Sequence, residues 1–235
     1  MSYILKEQIA EAGNYGGSRP ASQIRYLVVH YTGNDGDTAE RNGSYFADRI
    51  VKASAHYFVD DDSVVRSVPD LCIAWSVGGK LWPDIAETGG GSMYGVITNA
   101  NSISVELCDT LRDGVYRASD ATLENAASLC RALMKSYDIP VERVYRHFDV
   151  TGKHCPAYMM DSAKWESFKS RLEDKPMDNK PASYAVEAVA WAQEAGIMQG
   201  DPRGDLKLSE PLTRQQFVAM LHRYHKYLTG RMSQL

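Results

Sequence analysis

Two histidines and a cysteine carry the clearest chemistry in this 235-residue chain. His30 ends a short, branched, apolar run (residues 24–30, IRYLVVH), and the turn Tyr31-Thr32-Gly33-Asn34 follows it. His147 stands just after a second strand candidate, Val141–Tyr145, and Cys155 comes eight residues later in a polar, turn-rich stretch. That gap is long enough for a loop to bring the thiolate back beside the imidazole. Two imidazole nitrogens and a thiolate are zinc ligands, and three protein ligands leave the fourth tetrahedral position to water, the arrangement of a catalytic site. Zinc held this way lowers the pKa of that water toward about 7 and so provides hydroxide at neutral pH. Singly, each histidine reads as an ordinary hydrogen-bonded core or surface residue; the inference rests on the set. The other cysteines, Cys72, Cys108 and Cys130, form no CxxC pair with it or with one another. Cys130 lies in a helical stripe with Ala126, Ala127, Leu133 and Met134 and reads as plain core.

The elements that must position this set alternate in type. Ile24–His30 reads as a buried strand and Thr38–Val51 as a helix. Ala55–Val59 and Val64–Val68, separated by Asp60-Asp61-Asp62-Ser63, read as a hairpin. Residues 76–101 are rich in glycine and lack periodicity, the pattern of a long functional loop. Ile103–Leu107 and Val141–Tyr145 are strand candidates. Asp120–Tyr137 is a long amphipathic helix capped by Ser119 or Asp120, and Asp161–Leu172 is a further helix. Interleaved helices and strands predict an α/β domain with a mixed central sheet flanked by helices. A polar stretch with two prolines, residues 174–182, then reads as a linker, dividing a domain of residues 1–173 from a small all-α module of residues 183–235.

Composition excludes several classes. With 26 Lys and Arg against 30 Asp and Glu, the net charge is −4, which argues against a nucleic-acid partner held by a basic face. No apolar run approaches the roughly 20 residues that span a bilayer. The first seventeen residues carry acids where a signal peptide needs an apolar core, which predicts a protein cytoplasmic until release.

Five segments, VVHYTG (28–33), SAHYFVDDDSVVRSVPD (54–70), AWSVGG (74–79), NSISVEL (101–107) and HFDVTGKHCP (147–156), together resemble the zinc-dependent N-acetylmuramoyl-L-alanine amidases. These share a fold with phage lysozyme-type amidases and peptidoglycan recognition proteins. The resemblance covers most of residues 20–172 and implies hydrolysis of the amide between N-acetylmuramic acid and the L-alanine of the stem peptide. It implies Zn2+ on His30, His147 and Cys155, with Lys153 stabilising the oxyanion and the Tyr57 hydroxyl facing the zinc-bound water. Glu106 falls where some members carry a glutamate base; its other reading is a salt-bridged strand residue. Trp75 either lines the substrate groove or packs in the core. His56 and His154 read as non-ligands. Many relatives have histidine after the tryptophan, where this chain has Ser76. Non-catalytic relatives that only bind peptidoglycan usually lack the cysteine, so Cys155 favours an enzyme over a binding module. The resemblance fits a phage or prophage endolysin acting at the cell wall, or a bacterial autolysin.

Residues 185–224 resemble one S-layer homology repeat, with a W-A-x-x-x-G-I helix end, a Gly/Asp loop and L-T-R-x-Q opening a second helix, Thr213 as its N-cap. Such repeats usually come in threes and imply attachment to a secondary cell-wall polymer. A lone pair of helices buries little surface, so the module is expected to bind the wall, to mediate a homo-oligomer, or to serve only in packing.

Overall fold

The computed structural model describes residues 3–173, 178–201 and 204–232, and the chain divides into two compact units, Met1–Asp174 and Lys175–Leu235. Its elements run β1 (Ile4–Glu7), β2 (Tyr15–Ser18), β3 (Tyr26–Asp35), α1 (Ala39–Ala47), β4 (Tyr57–Val59), β5 (Ser63–Arg66), β6 (Cys72–Ala74) and α2 (Ile85–Thr88). Then come β7 (Ser102–Arg112), β8 (Val115–Arg117), α3 (Asp120–Tyr137), β9 (Val144–Arg146), α4 (His147–Thr151), α5 (Ser162–Leu172), α6 (Val186–Glu194) and α7 (Arg214–Met232).

A mixed sheet in the order β1-β5-β4-β7-β3-β9 forms the middle of the first unit, with β8 paired to the far end of β7. β3 lies parallel to both β7 and β9, and β4 is parallel to β7 but antiparallel to β5. A strand covered on both sides is apolar throughout, and Leu27, Val28 and Val29 of β3 are all fully buried. One face of the sheet presents Leu27, Val29, Val59, Ile103, Val105 and Leu107 to α3 and α5, whose Ala126, Cys130, Leu133, Trp165 and Phe168 complete the main core. On the other face Phe58 stacks on Phe46 of α1, with ring centroids 5.4 Å apart. The α/β expectation therefore holds, with helices on both sides of a mixed sheet.

Local chemistry explains the helix ends. Ser119 caps α3 by accepting from Thr122 N at 3.1 Å. At the other end Asp138 adopts φ 52°, the left-handed cap conformation. Thr38 caps α1, and Asp60 in the β4–β5 turn accepts from Ala39 N at 2.8 Å, which ties the hairpin to the helix start. Several boundaries differ from the sequence reading. α1 ends at Ala47 rather than Val51. Val141–Arg143 form a 3-10 turn after Pro140, and the strand occupies Val144–Arg146. Strands β1, β2, β6 and β8 have no counterpart in the expectation; each has only three or four residues, too few to display alternation.

The long glycine-rich loop is fastened to α4. Trp82 N donates to Thr151 O (2.7 Å), Gly91 N to Phe148 O (2.9 Å) and Met93 N to Asp149 O (2.8 Å). A Cβ at Gly90 would come within 2.6 Å of the Phe148 ring and 2.7 Å of Gly152 Cα, so this close approach requires glycine.

In the second unit, Ala192 and Ile197 are buried. Trp191 of α6 packs edge-on against Tyr224 and Tyr227 of α7, at 6.3 and 6.0 Å. Thr213 and Gln216 form a reciprocal cap at the start of α7: Gln216 N donates to Thr213 Oγ1, and Thr213 N to Gln216 Oε1. The expected linker begins in residues 174–177, which lie outside the described residues. No described helix is long and apolar enough to cross a membrane.

Candidate active site

β3 delivers His30 and, directly across the ladder, β7 delivers Glu106. His147 does not end a strand but opens α4. That helix start is held by Arg146, whose backbone N and Nε donate to Asp149 Oδ2 (2.8 and 3.1 Å) while Nη2 donates to Oδ1 (2.7 Å). The chain leaves α4 through Gly152 at φ +83° and returns at once, so that Phe148 N donates to Cys155 O at 3.0 Å. This tight return, rather than a long loop, brings the cysteine to the histidine.

The three side chains meet. His30, His147 and Cys155 place one donor atom each within 4.8 Å of one another, and all three residues are buried. His30 Nδ1 lies 3.8 Å from Cys155 Sγ, the two imidazoles are 4.6 Å apart between centroids, and Glu106 Oε1 is 3.8 Å from His30 Nδ1. Cys155 is 1% exposed, although the stretch of sequence around it is polar and turn-rich. His30 Nε2, His147 Nδ1 and Glu106 Oε2 are buried without a hydrogen-bond partner. Buried polar atoms are ordinarily paired, and unpaired ones on residues of a single cluster require an explanation. A cation provides one, because two neutral imidazoles and a thiolate form a nitrogen–sulfur donor set for a transition metal.

The electrostatics point the same way. Burial first, then His147 and Lys153, holds the His30 imidazole well below its usual range, and burial followed by Lys153 lowers His147 to about 4. Both rings are therefore neutral at physiological pH, the form that binds metal. Burial, reinforced by Glu106, pushes the Cys155 thiol up. Burial raises Glu106 to about 8, with Lys153 opposing and Asp109 and Asp37 adding to the rise. Each negative charge in the site is thus disfavoured until a cation compensates it.

Lys153 is exposed and, with Glu106, lines a groove of about 570 Å³ whose other wall is Asp37, Arg41, Asn42 and Tyr45 beside α1. The helix-wall residues were not singled out in the sequence, where nothing marks the exposed side of α1 as facing a site. Tyr57 is corrected. It alternates with His56 and Phe58 along the strand, and the face that carries His30 and Glu106 also carries Phe58. Tyr57 points to the opposite face, is 4% exposed, and donates its hydroxyl to Asp70 Oδ1 at 2.6 Å. The same carboxylate accepts from Tyr137 at 2.8 Å. Tyr57 therefore belongs to the core under α3 and does not face the donor cluster.

His56 shares the site's face but stays out of the cluster, with Nδ1 3.1 Å from Ser104 Oγ and Nε2 3.0 Å from Arg19 Nη2. His154 lies 3.7 Å from Asp84 at the surface. Trp75 is half-buried and lines a separate groove with Tyr94 and Asn99. Ser76, at the position where many relatives carry histidine, donates its backbone N to Asn99 Oδ1 at 3.0 Å.

Residues 20–158 match the family described as N-acetylmuramoyl-L-alanine amidase, and residues 177–218 match the S-layer homology domain. The amidase CwlL of Bacillus licheniformis is 31% identical over 178 residues, which are 73% of this chain and 47% of that protein. The amidase BlyA of Bacillus subtilis (strain 168) is 32% identical over 166 residues, 69% of this chain and 44% of that one. The chain therefore spans about half the length of these relatives. Among solved structures, that of the PlyG catalytic domain superposes with a TM-score of 0.58 at 27% identity, covering 76% of this chain and 99% of that one. With the match extending over more than half of its residues and including all three clustered donors, the chain belongs to the N-acetylmuramoyl-L-alanine amidase family.

Proposed function

We propose that this protein is a zinc-dependent peptidoglycan hydrolase that cleaves the amide between N-acetylmuramic acid and the L-alanine of the stem peptide. The observation that carries the reading is the buried His30–His147–Cys155 cluster opening beside Lys153 and Glu106 within a matched amidase domain. Zinc bound by these three residues supplies Lewis-acid polarisation of a carbonyl and makes water acidic enough to act as a nucleophile near neutral pH. The protein's own groups supply the rest. Lys153 offers an ammonium to the oxygen that becomes negative in the transition state, where a fixed donor is worth most. Glu106, with Oε2 unpaired, accepts the proton of the attacking water and returns it to the departing alanine nitrogen. A dication beside it favours its carboxylate form. Tyr57 takes no part.

Cys155 favours catalysis over a peptidoglycan-binding module that holds stem peptides without cutting. The role we propose for the protein is that of a phage or prophage endolysin or of a bacterial autolysin, either of which acts at the wall. For the second unit we propose association, either with a secondary wall polymer or with further copies of the chain. Phe217, Leu221, Tyr224 and Leu228 of α7, spaced as one helical stripe, are each 40% exposed or more. Incubation with purified cell walls tests the main reading. New L-alanine amino ends, abolished by chelation and restored by zinc, are expected; walls that gain no new ends contradict it.

A further inference from the structure

The strand that delivers His30 does not keep its register to the end. Tyr31 pairs with Leu107 and Asp35 with Asp109, so Thr32, Gly33 and Asn34 of β3 face only Cys108 of β7. Extra residues in one strand form a bulge whose backbone groups the ladder leaves unsatisfied, and a bulge beside a site re-aims the chain there. This one starts two residues after His30 and forms part of the charged groove, where Tyr31, Thr32 and Asn34 line the surface together with Glu106 and Lys153. Gly33 lies at φ +67°, a left-handed conformation that glycine adopts without strain. A groove wall made of irregular backbone needs support from behind.

Asp109 provides that support. It is 4% exposed, and its Oδ2 accepts from Gly33 N at 3.3 Å. Burial raises Asp109 to about 7; the Gly33 amide opposes the rise, Asp37 adds to it, and the Asn34 amide and the Thr32 hydroxyl oppose it as well. Each residue of the bulge thus directs a donor toward one carboxylate. Asp109 is itself pinned through its main chain, where its N donates to Asp37 Oδ1 at 3.1 Å and its O accepts from Gly36 N at 3.0 Å. A buried carboxylate is costly unless hydrogen bonds satisfy it. Its Oδ1 has no partner among the described residues, so the contacts that offset the burial of this side chain are those to the bulge.

We propose that Asp109 is a positioning residue of the enzyme: by holding Thr32, Gly33 and Asn34 it fixes the stretch of groove wall, next to the donor cluster, against which the substrate is aligned. The assignment rests on the amidase reading. Asp109 acts through the bulge and lines no part of that groove itself. A misplacement of about 1 Å in a bound substrate can cost on the order of a hundredfold in rate, so a wall of unpaired backbone has to be held. The bulge requires an acceptor oxygen at this place rather than a negative charge, because an amide oxygen accepts from Gly33 N equally well in kind.

The test uses the full chain loaded with zinc and N-acetylmuramoyl-peptides released from walls by a glycosidase. Asp109→Ala removes the acceptor and is expected to lower kcat/KM about tenfold or more, mainly through KM, with zinc content as in the wild type. Asp109→Asn keeps an oxygen for Gly33 N and is expected to recover most of that loss. A purely structural role has a different signature: a lower urea midpoint, with kcat and KM of the folded variant as in the wild type. That result overturns the proposal, and so does an equal loss of kcat/KM in both variants. If Asp109→Ala does not fold, amide hydrogen exchange in the wild type decides. The Gly33 and Asn34 amides are expected to exchange roughly tenfold or more slowly than in an unstructured chain, and unprotected amides overturn the proposal. Wild-type protein that releases no L-alanine amino ends contradicts the amidase reading instead, and the exchange measurement still shows whether Asp109 holds the bulge.

Discussion

The two faces of the central sheet are built from the same strands and do opposite work. Along β7, Ile103, Val105 and Leu107 point into the core under α3, while Ser104 and Glu106 point to the face that carries His30. The first set contributes burial, at roughly 1.5–3 kcal/mol for each large apolar side chain. The second set leaves Glu106 Oε2 unpaired in a buried position, which costs stability instead of adding to it. The difference shows that neighbours in a motif are not neighbours in space. Tyr57 sits between His56 and Phe58 in sequence, yet it shares an environment with Asp70 and Tyr137 rather than with the donor cluster.

Substitutions on the two faces should therefore separate activity from stability. The largest effect is expected for Cys155→Ser, which replaces a thiolate ligand by a neutral hydroxyl of similar size and should reduce wall hydrolysis to background. Cleavage at near wild-type rate, followed by release of L-alanine amino ends, would remove Cys155 from the ligand set. Lys153→Ala comes next: turnover should drop on the order of a hundredfold with zinc content unchanged. Loss of zinc instead would make Lys153 a support of the site and not a donor to the oxyanion.

Across the sheet, Tyr57→Phe removes one of the two hydroxyls on Asp70 and should cost about 1–2 kcal/mol in urea unfolding, with kcat unaltered. A large fall in kcat at unchanged stability would blur the distinction between the faces and return Tyr57 to the chemistry. The smallest effect on catalysis is expected from truncation after residue 174. Cleavage of soluble fragments should persist, while light scattering reports a smaller assembly or sedimentation with intact walls reports weaker binding. A truncated protein indistinguishable from full length in both would deny the second unit an associative role.

The sequence made the donor set legible because His30 stands at the end of a strongly apolar run, and because HFDVTGKHCP keeps histidine, lysine and cysteine in a single short segment. Helix α3 was equally clear, being long, periodic and capped by Ser119. The face of a three-residue strand was harder to read. β4 is buried on both sides, so its pattern YFV has no polar position to show which way it faces. The burial of Cys155 was hidden because its surroundings in sequence are polar; the backbone bond from Phe148 N to Cys155 O that turns it inward depends on tertiary structure. The charged α1 groove and the uncharged one beside Trp75 were illegible for the same reason, since each collects residues from distant segments.

Metal analysis of the full chain purified from zinc-replete medium addresses the centre of the account most directly. About one zinc per chain is expected in the wild type, lost in His30→Ala and retained in Tyr57→Phe. Wild-type protein with no bound zinc, or an equal zinc content in all three, would contradict it.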